Sequence, residues 1–301
     1  MTPEDRFATL TFTRALPVPP LTLWRVWTDP PARAAWAAPA PGVTVEFLQA
    51  DTRPGGHEVS ICRVAGAPDI RCEVGWLALE PPRISVNSEV LLREGRALSA
   101  ALVTAEVAPT ADGSRLTVTV QLSALAEDMT EGYRAGFGAG LDNLAGVAGR
   151  TMVIEGVIDA PVAAVWAAWT DPESLQSWWG PDGFSCRTRR IDLRAGGDWV
   201  FDMIGPDGTV YPNHHRYGAM VPGARIAYTL LRGEDGPKHA GAWASFADED
   251  GRTRVTLAMT LVSEEEYRTA LGFGAEELGL QTLGKLAAKV AARAGSVHRT
   301  G

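Results

Sequence analysis

The sequence predicts an α+β chain in which one fold occurs twice in tandem, each copy running through a strand, two short helices, a meander of strands and a long closing helix. Three observations carry this. The segment LWRVWTDP at Leu23 to Pro30 returns as VWAAWTDP at Val165 to Pro172, with Trp24, Trp27 and Trp36 answered by Trp166, Trp169 and Trp178 at a constant spacing of 142 (166 − 24). Alternating apolar runs follow in both copies, cut by turns rich in Gly, Pro and Asp. Each copy then ends in apolar residues at helical spacing. A repeat of about 20–50 residues would mark a solenoid; this one has the length of a domain.

The correspondence continues past the tryptophans. RPGG at Arg53 to Gly56 answers RAGG at Arg194 to Gly197, Arg83-Ile84 answers Arg225-Ile226, and Asp112-Gly113 before RLTVTV answers Asp250-Gly251 before RVTLAM. Near the ends, GFGAGLDNL at Gly136 to Leu144 matches GFGA at Gly272 to Ala275 and, after a three-residue insertion, GLQTL at Gly279 to Leu283. The predicted domains are residues 8–148, the more diverged copy, and 150–295. A length of 301 residues agrees with two domains at about 150 residues each, and 46% hydrophobic with 21% charged residues is ordinary globular composition.

Net charge is −8, and neither half carries a basic run, so a phosphate-dominated nucleic-acid surface and a Lys/Arg membrane patch are not expected. The N-terminal MTPEDRFATL lacks the pattern of a secretory signal, and no stretch approaches the roughly 20 apolar residues of a membrane span. Cys62, Cys72 and Cys186 show no CxxC spacing and read as small buried hydrophobes in a reducing compartment, so the expected location is the cytoplasm.

In the second copy MVIEGVI alternates as a strand and ends at Asp159-Ala160-Pro161, where Asp159 is placed to cap and Pro161 to open the next helix. Val162 to Trp169 puts Val162, Val165, Trp166 and Trp169 on one helical face. Thr170-Asp171-Pro172 breaks that helix, because Pro172 disfavours a helical Asp171 while the aspartate suits an N-cap. A short helix from Glu173 to Trp179 stops at Gly180-Pro181. Strands follow at CRTRRIDL, DWVFDM, HRYGAMV, ARIAYTLL, GAWASFAD and RVTLAMTLV, and a closing helix at Glu264 to Ala292, with a weak point at Gly272-Phe273-Gly274. The first copy repeats this plan with strands at FTRAL, VTVEFL, HEVSICRV, IRCEVGWLAL, RISVNSEV, ALVTAEVA and LTVTVQL.

The string VWxAWTDPexLxxWWGPxGF, then DLRxGGxWxFxMxGPDG, a meander and a final helix resembles the activator of heat-shock-protein-90 ATPase homologue group, a branch of the START-like (SRPBCC) helix-grip superfamily. Trp166, Trp169, Thr170, Asp171, Pro172, Trp178, Trp179, Gly180, Pro181, Gly196, Gly197, Trp199, Phe201, Met203 and the Gly205 to Gly208 turn carry the resemblance, which spans residues 150–292 directly and 8–148 through the duplication. It implies two tandem helix-grip domains, each a curved antiparallel sheet wrapped around its long C-terminal helix. A cavity between sheet and helix, often holding an apolar small molecule, goes with that fold.

The copies differ where such a cavity belongs. Trp178-Trp179-Gly180-Pro181 is matched by Trp36-Ala37-Ala38-Pro39, and the first copy lacks the GPDG turn. Trp199, Phe201 and Met203 share one strand face; their counterparts are Glu58, Ser60 and Cys62. Either the first cavity is more polar, with Glu58 inside or at its mouth, or a one-residue bulge turns Val59 and Ile61 inward instead. Pocket candidates are Trp178, Trp179, Trp199, Phe201, Met203, Tyr228, Trp243 and Phe273 in the second copy, and Trp36, Glu58 and Trp76 in the first. Trp24, Trp27, Trp166 and Trp169 read as core, and Asp29 and Asp171 as helix caps.

Chemistry is sparsely signalled. His214 and His215 are adjacent on a strand and point to opposite faces, and His57, His239 and His298 are isolated, so no metal site is expected. There is no GxSxG elbow and no Cys beside an obvious His; GFGAG at Gly136 to Gly140 does not follow a strand in a βαβ unit; and Arg194 fits a structural ion pair or a ligand's acid group. The leading expectation is non-enzymatic binding of an unidentified hydrophobic small molecule, with no cofactor. A chaperone-cofactor interaction module is an alternative, as is a cyclase, dehydratase or hydrolase using Glu58, His57 or Tyr217. The short linker, Gly146 to Thr151, favours the two copies packing as an internal pseudo-dimer.

Overall fold

The computed structural model describes residues 6–127 and 129–297, with side chains described to Arg293; His298 lies outside them. The chain divides into two compact units between Gly149 and Arg150. The first contains β1 (Phe7–Leu16), α1 (Pro20–Thr28), α2 (Pro30–Trp36), β2 (Val43–Ala50), β3 (His57–Val64), β4 (Ile70–Glu80), β5 (Ile84–Arg93), β6 (Arg96–Thr110), β7 (Gly113–Ala124) and α3 (Met129–Ala148). Its sheet runs β1-β7-β6-β5-β4-β3-β2 with every neighbour antiparallel, so a meander from β2 to β7 is closed by β1. Leu116, Val118, Val120 and Leu122 alternate toward the inner face, where Leu141, Leu144 and Val147 of α3 cover them together with Trp24, Trp27 and Trp36.

The second unit contains β8 (Thr151–Ile158), α4 (Val162–Thr170), α5 (Pro172–Trp178), β9 (Ser185–Ile191), β10 (Asp198–Ile204), β11 (Val210–Val221), β12 (Arg225–Arg232), β13 (Lys238–Glu249), β14 (Arg252–Leu261), α6 (Glu264–Gly272) and α7 (Ala275–Val297). The sheet order β8-β14-β13-β12-β11-β10-β9 repeats the first. One difference is the closing helix, which splits into α6 and α7 at Phe273 and Gly274; the latter has φ +78°, a conformation that glycine adopts without strain. Leu283, Leu286 and Val290 of α7 face the core beside Trp169, Trp178, Trp199 and Phe201.

The helix break is a capping device in both copies. Asp29 Oδ2 accepts from the Ala32 backbone N–H at 3.3 Å, and Asp171 Oδ1 from that of Glu173 at 3.2 Å, while Pro30 and Pro172 occupy the first helical turn. The helix before the break starts differently from the expectation: Pro161 is itself the N-cap of α4, without a side-chain cap bond, and Asp159 does not cap. Replacing Asp171 by alanine is expected to cost the second domain about 1 kcal/mol, a fall of roughly 2–4 °C in its calorimetric transition.

The double glycine positions the site. A Cβ on Gly56 would lie 2.0 Å from the Asp51 carbonyl oxygen, and one on Gly197 would lie 2.2 Å from that of Asp192, so only glycine fits. The hairpin bend it permits lets Gly55 and Gly56 clamp the backbone of Trp76 at 2.8 and 3.0 Å, and Gly196 and Gly197 that of Tyr217 at 2.9 and 2.8 Å. Both aromatics are thereby held on the inner face.

Candidate functional site

In the second domain the inner face of β10, β11 and β12 is a wall of rings. Residues directly opposite in an antiparallel ladder share a face. Trp199 opposes His215, which opposes Leu230, and Tyr217 opposes Tyr228. Trp199 stacks on Phe201 with ring centres 3.8 Å apart, and His215 stacks on Tyr228 at 5.0 Å. Trp179, at the end of α5, meets Trp169, Trp199 and His215 edge-on at 5.5, 5.7 and 5.3 Å. Met203 is half-buried along the same line.

Some of these rings are satisfied core. Trp178 donates from Nε1 to the Ala168 carbonyl at 3.1 Å, and Trp199 to Thr188 Oγ1 at 3.1 Å. His215, Tyr217 and Tyr228 differ: each is more than nine-tenths buried, and none has a side-chain hydrogen-bond partner among the described residues. Burial holds the His215 ring neutral, its pKa pushed down to about 3 with a smaller contribution from His214, and it raises the hydroxyls of Tyr217 and Tyr228 well above their ordinary value. Three polar groups thus face an aromatic interior unanswered.

Two candidates fall outside this wall. Trp243 opposes Ala227 and Ala258, between the inward-facing Ala242 and Ala244, so it lies on the outer face, where the Arg225 guanidinium covers its ring at 4.3 Å. Phe273 sits at the helix break, 63% exposed. His214 also faces outward: its Nε2 lies 2.8 Å from Asp198 Oδ1, and its Nδ1 lies 3.2 Å from the Asp235 backbone nitrogen. Asp202 is held instead by Arg187 and Arg189, and the exposed Arg194 pairs with Asp192 at 2.9 Å.

The first domain lines the same positions with polar groups. Strand β3 pairs with β4 without a slip, Glu58 opposite Val74 and Ser60 opposite Cys72; the irregularity is on β2, between Phe47 and Gln49. Glu58, Ser60 and Cys62 therefore face inward, and the bulge that would have turned Val59 and Ile61 inward does not occur. Glu58 is 1% exposed, accepts from Thr52 Oγ1 at 2.6 Å and is ion-paired with Arg33, whose guanidinium lies 5.1 Å from the Phe47 ring and 5.3 Å from the Trp76 ring. In the second copy the matching residues are Trp199 and Leu175. Trp36 is core, stacked on Trp27 at 5.4 Å and donating to the Val26 carbonyl at 2.8 Å. His57 is exposed.

Strand β5 adds residues that sequence reasoning missed. Asn87 opposes Trp76 and Glu89 opposes Val74, so both point inward, where the second copy places Tyr228 and Leu230. Glu89 accepts from the Tyr133 hydroxyl of α3 at 2.8 Å, and that hydroxyl lies 3.2 Å from Ser99 Oγ. Burial raises the Glu89 carboxyl and the Cys72 thiol above their ordinary values. The signal was available as period-2 spacing: Ser85, Asn87 and Glu89 stand at every second position of the strand read as RISVNSEV.

A seven-stranded antiparallel meander closed around a C-terminal helix, with two short helices after its first strand, defines a START-like helix-grip protein, here built twice. The chain belongs to the family described as Activator of Hsp90 ATPase homolog 1-like protein, which matches residues 17–149 and again 159–291. Similar solved structures include protein Ms6760 from Mycobacterium smegmatis, 27% identical over 49% of this chain and 94% of that one with a TM-score of 0.45. Mll3558 from Rhizobium loti is 30% identical over 46% and 95%, with a TM-score of 0.42. No curated protein matches the chain. Among the described residues no helix is long and apolar enough to cross a membrane, and no three His, Cys, Asp or Glu side chains come together as a metal site requires.

Proposed function

We propose that this protein is a non-catalytic binding protein whose second domain takes a small, mainly aromatic or apolar molecule carrying a hydroxyl or similar hydrogen-bonding group. The observation that supports this is the set of unanswered polar groups, His215, Tyr217 and Tyr228, on a wall otherwise made of rings. Among the described residues their polar atoms are not fully enclosed, so a ligand's matching group has open space in which to meet them. An apolar pocket with a few placed polar atoms is the ordinary composition of a small-molecule site. Binding is favoured over catalysis because a His held neutral down to about pH 3 is a poor base and is not oriented by a carboxylate.

The test is displacement of Nile red from the full-length protein by 2-naphthol and by naphthalene. Both are expected to compete, and Tyr228→Phe is expected to weaken 2-naphthol roughly five- to ten-fold while leaving naphthalene unchanged. Failure of both compounds to compete, or an equal loss for both in the variant, rejects the reading.

A further inference from the structure

We propose that the inner face of the first domain is a second binding site of different chemistry, taking an organic ammonium compound whose cationic head is held by Glu89 and Asn87. Three charged side chains are placed on or beside this face across β3 to β5 and from α2: Arg33, Glu58 and Glu89. Arg33 is committed to Glu58 and lies beside the rings of Phe47 and Trp76. Glu58 has both oxygens occupied, one by Arg33 and one by Thr52. That leaves Glu89, deep in the domain, with only neutral neighbours in hydrogen-bonding contact, the Tyr133 hydroxyl and the Cys72 thiol. The local balance is one positive charge against two carboxylates; Arg33 acts on Glu89 only at a distance, and a part-buried carboxylate with no cation in contact is stabilised by gaining one. A cation supplied from outside restores neutrality.

Asn87 offers a second acceptor on the same face. It is 5% exposed, its Nδ2 has only a 3.4 Å contact with the Ser88 carbonyl, and its Oδ1 has no hydrogen-bond partner among the described residues. Asn87 and Glu89 are two residues apart on one strand face, about 6.6 Å along β5, so two acceptors converge on one head group. An ammonium, which is donor-only, can be accepted by both the Asn87 carbonyl and the Glu89 carboxylate, whereas a carboxylate or phosphate would be repelled by Glu89. Cys72 and Glu89 keep part of their surface open despite their depth, as side chains bordering a hollow do.

Calorimetric titration of the full-length protein with 2-phenylethylamine and its neutral isostere 2-phenylethanol tests the proposal. The amine is expected to bind at least ten-fold more tightly than the alcohol, a ratio that needs no variant. Glu89→Gln is expected to reduce amine affinity at least ten-fold, with the response of the second domain to 2-naphthol unchanged, so the two sites stand or fall separately. Because an ammonium favours the ionised carboxylate, binding below the raised pKa of Glu89 is expected to release a proton, read as heats that vary with buffer ionisation enthalpy. Arg33, Glu58, Cys72 and Tyr133 are the other titratable groups around it. Equal affinity for amine and alcohol, no amine binding at millimolar concentration, or undiminished binding by a folded Glu89→Gln protein overturns it.

Discussion

Replacing Arg33 with leucine is expected to destabilise the first domain by about 3–5 kcal/mol, because it strands Glu58 as an uncompensated charge at 1% exposure. Thr52 alone cannot stand in for the guanidinium, being a neutral donor to one of the two oxygens. The substitution is not a loss of apolar packing, since leucine is what the second copy has at the equivalent Leu175. The paired change Arg33→Leu with Glu58→Leu is accordingly expected to recover most of the loss, or to exceed the wild type, as apolar replacements of buried ion pairs often do. Calorimetry resolves this: at roughly 2–4 °C per kcal/mol, the single variant should lower the first-domain transition by about 10 °C, and the double should restore it. A single variant within 2 °C of wild type would mean that water reaches Glu58 and solvates it.

The second domain is expected to lose stability as pH falls from 6.5 to 4, by about 3 kcal/mol from His215 alone. The folded domain holds this ring neutral, with a pKa near 3, whereas the unfolded chain titrates it near 6.5. Between those values the unfolded state carries a proton that the folded state lacks, so unfolding takes up protons and stability rises with pH. The carboxylates of Asp171, Asp198 and Asp202, held below their ordinary value by Arg293, by His214 with Arg216, and by Arg189 with Arg187, add an acid loss of the same sign at lower pH. Glu266 and Asp207, also held below their ordinary values, share in that loss, which begins near pH 5 as unfolded-chain carboxylates start to protonate, so the window from about 5 to 6.5 isolates the histidine. Urea titrations at pH 6.5, 5.75 and 5 should show the second-domain free energy falling by about 1.5 kcal/mol in the wild type and nearly level in His215→Phe; parallel slopes would show that His215 is solvated in the native state.

Much of the architecture was legible because it rests on local chemistry. The TDP break follows from proline geometry and aspartate capping, and the strands and turns follow from period-2 runs cut by Gly, Pro and Asp. The missed cap at Asp159 was also a local question, lost because Pro161 takes the capping position itself. The candidate site was less legible. Trp199 and Phe201 were placed on the inner face by their strand, but Trp243 was not excluded, because the parity of β13 is set by its ladder to β12 and β14.

What the sequence by itself determined is the duplication, the order of elements in each copy and the positions at which the copies diverge. Tertiary structure alone decided whether Glu58 or Val59 faces inward, that Arg33 meets Glu58, and that His215, Tyr217, Tyr228 and Asn87 go unanswered. The reason is geometric: side chains alternate along a strand, so a one-residue slip exchanges every residue between core and solvent, and only the register with the neighbouring strand fixes which set is buried. Helix caps are settled within four residues, whereas an ion pair spanning 25 residues exists only once the sheet has formed.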